Sequence, residues 1–155
     1  MLLKICLGAL LIIICVKIGK IKANTVKNEY LFFYDLRSFI KEYEQNLSFS
    51  KKDVKSLITL NYTSNELNEL LKSYLNGSEL VLPNFLNSKE IADITAFFNN
   101  LGVSDTKTEL LSAKNYYQIF NDYVLLKNEK YKKYYSVYLK IGFSVGIMLL
   151  IMVIK

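Results

Sequence analysis

Three sets of residues in this chain are of types that could do chemistry. Asp35, Glu42 and Glu44 stand close together, as do Glu66 and Glu69; paired carboxylates can share acid–base work or hold a divalent cation. Gly19-Lys20 has the last two residues of a phosphate-cradling loop. Cys6 and Cys15 could ligate a metal or close a disulfide. Each set weakens in its context. Arg37, Lys41 and Lys72 interleave with the carboxylates, the pattern of a solvated helix face. Gly19-Lys20 lacks the upstream glycine, and both cysteines lie in one apolar run, which leaves no framework for a zinc ribbon. The 155 residues include no histidine, so no imidazole can activate a nucleophile or bind a metal. The expectation is a non-enzyme with no cofactor and no metal.

The aromatic residues are more suggestive. Twelve Tyr and nine Phe make 14% of the chain. Tyr116, Tyr117, Tyr123, Tyr131, Tyr134 and Tyr135 are too many to face one core, and exposed tyrosine suits a protein interface or a membrane boundary. Tyr116, Tyr117 and Tyr123, with the acidic face Asp35, Glu42 and Glu44, are therefore the candidate partner surface.

The elements that position these residues begin with charge. The net charge is +6, from 20 basic and 14 acidic residues. All 14 acidic residues and 14 of the basic ones fall within 23–133, so that stretch is neutral. The excess is Lys4, Lys17, Lys20, Lys22, Lys140 and Lys155, which flank or cap two apolar ends. Arg37 is the only arginine, which leaves little for phosphate or base recognition, so no nucleic-acid partner is expected.

The apolar ends read as transmembrane helices over 2–18 and 136–154. The first is Leu2–Ile18, broken only by Lys4 and Lys17; the core of the second is Ile141–Ile154. Both are short against about 20 apolar residues, but lysines snorkel and bilayers thin at modest cost. Tyr134, Tyr135 and Tyr138 precede the second at aromatic-belt depth. Gly142 and Gly146 form a GxxxG pair that would let another helix approach closely, either a partner's or the first span. Lys17, Lys20, Lys22 and Lys27 follow the first span, and Lys127, Lys130, Lys132, Lys133 and Lys140 precede the second. Lysine bias of this kind places the intervening loop in the cytoplasm, with membrane lipid around both spans. The competing reading is a signal peptide with core Ile5–Val16 cleaved near Ala23. It would export the loop and make Asn46-Leu47-Ser48, Asn61-Tyr62-Thr63 and Asn76-Gly77-Ser78 glycosylation triplets.

Between the spans, residues 23–133 read as an all-α bundle. Tyr30, Phe33, Leu36, Ile40, Tyr43 and Leu47 recur at three- and four-residue steps along one long helix. Ser50-Lys51-Lys52-Asp53 resembles a capping box before a short helix, and Thr63-Ser64-Asn65-Glu66 starts another that Gly77 ends. Leu80–Leu86, with Pro83, reads as a packed loop because it has no partner strand. Ser88 opens a helix that Gly102 stops. Ser104 or Asp105 caps a last helix that continues into the second span, about 74 Å if unbroken.

In its final third the chain resembles a known family. Ile94-Thr95-Ala96-Phe97 followed by Leu101-Gly102-Val103-Ser104-Asp105 is similar to the L-x-x-F-x-x-x-L-G-x-x-D stretch of the stage III sporulation protein AB family. Tyr138-Leu139-Lys140-Ile141-Gly142-Phe143-Ser144-Val145-Gly146 resembles its Y-x-x-L-G-x-x-x-G motif, and Leu36-Arg37 with Glu42-Tyr43-Glu44 resembles its L-R…E-x-E start. Ser50-Lys51-Lys52 replaces the family's Thr-Pro-Leu, and Glu109 stands where a Gln is expected. The match covers roughly 94–150, with a weaker one over 30–60, and leaves 61–90 unplaced. The resemblance implies a non-catalytic platform subunit of the channel between mother cell and forespore in endospore formation, similar to inner-membrane platform proteins of type II secretion and type IV pilus machines. It further implies a secretion-type ATPase and other channel membrane proteins as partners, and a place in the mother-cell membrane facing the forespore. The alternative class is a membrane-anchored receptor or regulator with an exported helical domain.

Overall fold

A computed structural model describes residues 2–49, 58 and 61–154, with side chains over 7–47, 58 and 61–153. Among them the chain is all-helical, without strands: α1 (Leu2–Phe49), α2 (Asn65–Leu75), α3 (Ser88–Asn100) and α4 (Thr106–Ile154). Packing divides the chain into two units, Glu29–Leu126 and the paired ends Met1–Asn28 with Lys127–Lys155. The two long helices, α1 and α4, each contribute a stretch to both units.

In Glu29–Leu126, the stripe along α1 is wider than its three-four spacing suggests. Phe33, Leu36, Ile40 and Tyr43 are buried as the periodicity requires, and Phe32 and Phe39 beside them are buried too. Three other helices surround this part of α1, so more than one face is covered. Leu67, Leu70 and Leu71 of α2, Ile94, Phe97 and Phe98 of α3, and Phe120 of α4 complete the core. Its rings meet at the offset and edge-on angles that aromatic quadrupoles favour. Phe39 stacks on Phe98 at 6.1 Å, Phe97 meets Phe98 edge-on at 5.1 Å, and Phe33 lies 5.2 Å from Tyr123.

The helix ends obey local rules. The Ser64 side chain accepts the Leu67 N–H at 3.3 Å to cap α2, and Gly77 follows its end with φ 64°, a conformation glycine adopts without penalty. α3 starts at Ser88 as expected, and Asn87 before it is the cap: its side chain accepts from Glu90 N while the Glu90 carboxylate accepts from Asn87 N, both at 3.0 Å. Gly102, φ 76°, turns the chain after α3. Asp105 then accepts the N–H groups of Lys107 and Thr108 at 3.2 and 3.3 Å to start α4. A hydrogen bond from the Thr108 side chain first, and the Thr108 and Lys107 N–H groups after it, hold the Asp105 carboxyl below its usual range. The 80–86 segment is a loop whose Leu80, Leu82 and Phe85 pack on the core. Thus 61–90, unplaced by resemblance, runs from just before α2 through the loop that follows it into the first turn of α3. The expected capping box and helix at 50–57 lie outside the described residues; Ile58 packs against the core without helical assignment.

Candidate functional site

In the unit formed by the chain ends, α1 and α4 are held together by glycine. A methyl group built on Gly142 would come 2.8 Å from the Cys15 carbonyl oxygen and 3.1 Å from Gly19 Cα. On Gly19 it would meet the Tyr138 oxygen at 2.7 Å, and on Gly146 it would meet Ile12 Cα at 3.1 Å. The approaches at Gly142 and Gly19 leave no room for a side chain without a shift, and that at Gly146 is tight, so backbone packs on backbone. Gly8 meets Leu150, Ile12 meets Gly146 and Gly19 meets Gly142, so the helices run antiparallel. Gly142 and Gly146, picked out by spacing, thus lie against the first helix of the same chain. In the sequence Gly19 suggests only a phosphate-loop remnant and Cys15 only a metal or disulfide candidate. Their four-residue spacing, Cys15-x-x-x-Gly19-x-x-x-Ala23, was the signal that could have placed them in this seam.

Outside the seam the same stretches expose apolar side chains: Leu10 is 57% exposed, Ile21 63%, Met148 64% and Met152 70%. Among the described residues α4 is the one helix long and apolar enough to cross a membrane by length and composition. Lys17, Lys20, Lys22, Lys132, Lys133 and Lys140 are exposed and Lys130 half-buried. Lys133 sits 5.2 Å over the Tyr134 ring, a cation–π contact. Lys127 is buried, not a free flanking charge. The side chains of Lys4 and Cys6, and Lys155, lie outside the described residues.

A groove of about 210 Å³ opens beside the glycine crossing. It is lined by Cys15, Gly19 and Lys22 from α1 and by Tyr138, Gly142 and Val145 from α4, among others.

In the unit Glu29–Leu126, the structure breaks up the candidate partner surface. Asp35 is not on a solvated acidic face. It is 5% exposed and accepts the Ser64 N–H at 2.7 Å, tying α1 to the start of α2. Burial pushes its carboxyl above the usual range, against the lowering effect of the Ser64 and Thr63 N–H groups. Glu42 is exposed and accepts the Tyr62 hydroxyl at 2.9 Å, while Glu44 is half-buried. Tyr116, Tyr117 and Tyr123 are not free anchors either; they are half-buried and packed against the core. The Tyr123 hydroxyl donates to Asp93 at 2.6 Å. Burial first, and that carboxylate second, push the phenol well above its ordinary value. Interleaved basic residues mislead here because periodicity cannot see which side chain a neighbouring helix covers.

Glu109 is the polar centre that sequence reasoning missed. It is 7% exposed, and one of its oxygens accepts both the Tyr43 hydroxyl and the Gly102 N–H. This carboxylate therefore pins α1, the turn after α3 and the first turn of α4 at one point. Burial and the adjacent carboxylate raise the Tyr43 phenol far above its ordinary value. Arg37 is also spent internally: it donates to Asn121 at 3.0 Å.

Glu66 and Glu69 do share a cavity. They line a space of about 380 Å³ with Val81, Leu82, Pro83 and Phe85. Glu69 is exposed and Glu66 half-buried, with one Glu66 oxygen accepting the Ser64 hydroxyl at 3.1 Å. Among the described residues no group of three or more Cys, Asp or Glu is placed to hold a metal.

These features define an all-helical protein with one membrane-length apolar helix. No protein family, no curated protein and no solved structure matches the chain.

Proposed function

We propose that this protein is a non-catalytic membrane scaffold, anchored by α4 and by the N-terminal stretch of α1, that presents its helical bundle in the cytoplasm. The observation that carries this reading is α4 itself. One unbroken helix holds Phe120, fully buried in the bundle core, and Met152, 70% exposed in an apolar stretch. An exposed apolar helix surface of that length belongs in lipid. The lysines bordering the apolar stretches support a cytoplasmic bundle.

The finer reading is the platform subunit of the mother cell–forespore channel, with a secretion-type ATPase docking on the bundle. It rests on the sequence motifs at 94–105 and 138–146. Affinity capture of the tagged, detergent-solubilised chain from sporulating cells, followed by mass spectrometry, tests it. Co-recovery of a secretion-type ATPase with other channel subunits is the expected result; recovery of the chain alone refutes the docking reading. The orientation has its own test. In a chain lacking Cys6 and Cys15, Ser78→Cys on the exposed turn after α2 should resist an impermeant thiol reagent in intact cells. Prompt labelling, or an N-terminus beginning near Asn24, would instead favour the exported receptor or regulator.

A further inference from the structure

We propose that the lysines and tyrosines where α1 and α4 leave their apolar stretches form a collar that gathers anionic phospholipid headgroups around the protein. The inference rests on the membrane-scaffold reading and adds to it the class of lipid that the surface recruits. Residues 17–28 and 130–140 hold eight lysines and no carboxylate. The acidic residues next to them in the chain are Glu29, which is buried, and Glu129, which is exposed. Both stretches belong to the unit formed by the paired ends. Seven of the eight lysines are exposed, and Lys130 is half-buried. Their directions differ. At about 100° per residue, Lys20 and Lys27 leave α1 on one flank of the Gly19 seam, Lys22 on the other and Lys17 behind. On α4, Lys133 and Lys140 point away from the Gly142 seam, and Lys132 lies on a flank. The charge therefore surrounds the helix pair instead of forming a patch on one side.

A protein or nucleic-acid partner would lie on one side of the pair and leave the lysines on the other sides unmatched. A layer of headgroups meets all of them at once. The aromatic residues point to the same depth independently. Tyr131 meets Tyr135 edge-on at 5.2 Å, Tyr134 stacks on Tyr138 at 6.0 Å, and Lys133 lies 5.2 Å over the Tyr134 ring. All four rings are half-buried, and amphipathic rings of this kind sit at headgroup level. The height fits as well. Lys17 to Lys27 and Lys130 to Lys140 each cover about 15 Å of helix. Headgroups occupy roughly 5–7 Å on each face of a bilayer, and their field reaches about 8 Å further at physiological salt. Clustered lysines within that zone each attract anionic lipid; a zwitterionic lipid brings its own cation to the same place and gains less.

The test uses the full chain reconstituted in phosphatidylcholine bilayers with a trace of spin-labelled phosphatidylglycerol or spin-labelled phosphatidylcholine. Electron paramagnetic resonance reports how much of each probe the protein surface immobilises. The wild-type chain should prefer phosphatidylglycerol about five-fold at low salt, the size expected for a lipid that meets one lysine. In 1 M salt, where the screening length falls to about 3 Å, that preference should approach parity. Replacing Lys20, Lys22, Lys132 and Lys133 together by Gln should remove most of it, with helix content by circular dichroism unchanged. Replacing Lys41, Lys89, Lys107 and Lys114, four exposed lysines of the other unit, removes the same charge and should leave the preference in place. Equal losses in the two variants would reduce the effect to net charge and overturn the collar. Equal immobilisation of both probes by the wild type, or a preference that salt does not change, would overturn it without any variant. Extraction of the wild-type chain from the bilayer by alkali would instead refute the membrane reading, and the collar with it.

Discussion

The two units of this chain use the same two long helices and hold them by opposite means. In Glu29–Leu126, large rings fill the space between helices, and Phe32, Phe33 and Phe120 are 0% exposed. In the paired ends, glycines bring backbones into contact while Leu10, Ile21 and Met148 point outward. The first arrangement draws its stability from removing apolar surface from water. The second cannot, if lipid surrounds it, because lipid is as apolar as leucine; close packing is then what favours association. Side-chain size at the helix interface thus follows a different rule in each unit.

Substitutions that exchange the two packing rules test this contrast most sharply. Phe98→Ala should have the largest effect, about 3–5 kcal/mol, because the ring is 2% exposed and contacts Phe39, Tyr74 and Phe97. Urea unfolding in micelles followed by the near-ultraviolet tyrosine signal would measure it. A small change would mean the aromatic core is not what holds the bundle.

Gly142→Ile should cost about 1–3 kcal/mol by overpacking, and it should separate the paired ends without loss of helix. A thiol trap reads this directly. A Cβ at position 146 would lie 3.5 Å from Cys15 Cβ, within disulfide range, so Gly146→Cys should oxidise onto Cys15. Adding Gly142→Ile should suppress that bond; equal yields would show that the glycine crossing does not set the approach.

Glu109→Ala should cost about 1–3 kcal/mol, since it leaves the Tyr43 hydroxyl and the Gly102 N–H without their shared acceptor. Glu109→Gln keeps an oxygen there and should cost less. Equal losses would mean that charge, not acceptance, is what the centre requires.

The smallest effect is the pH dependence. Tyr43 and Tyr123 have folded-state pKa values above the ordinary value of about 10, so the folded chain keeps protons that the unfolded chain would release. Their stabilising contribution is full below about pH 10 and is lost as pH rises beyond it. Two of the twelve tyrosines should therefore ionise only as the bundle unfolds. Twelve phenols titrating together before unfolding would contradict this.

Local features were legible in the sequence because their physics acts within a few residues. The α1 stripe, the Ser64 and Asp105 caps and the turns at Gly77 and Gly102 all depend on neighbours in the chain. The Ile94–Asp105 motif is legible for the same reason. Ile94, Phe97 and Leu101 are buried, Gly102 takes a positive φ, and Asp105 caps the next helix, so each motif residue has a task at one helix–turn–helix corner. The candidate partner surface was not legible. Asp35 meets a donor 29 residues away and Glu109 one 66 residues away, and a charge pattern along one helix has no access to either.

The sequence by itself determined four things: all-helical structure, the helix ends, apolar termini edged with lysine, and a glycine pair able to admit another helix. Each follows from periodicity, capping or composition, which are short-range properties. Tertiary structure alone decided that Gly142 lies on Gly19, that Gly146 lies on Ile12, and that Asp35 and Glu109 are buried acceptors. Burial and hydrogen-bond partnership depend on which distant residue arrives, and the free energy that selects it is summed over the whole packed unit.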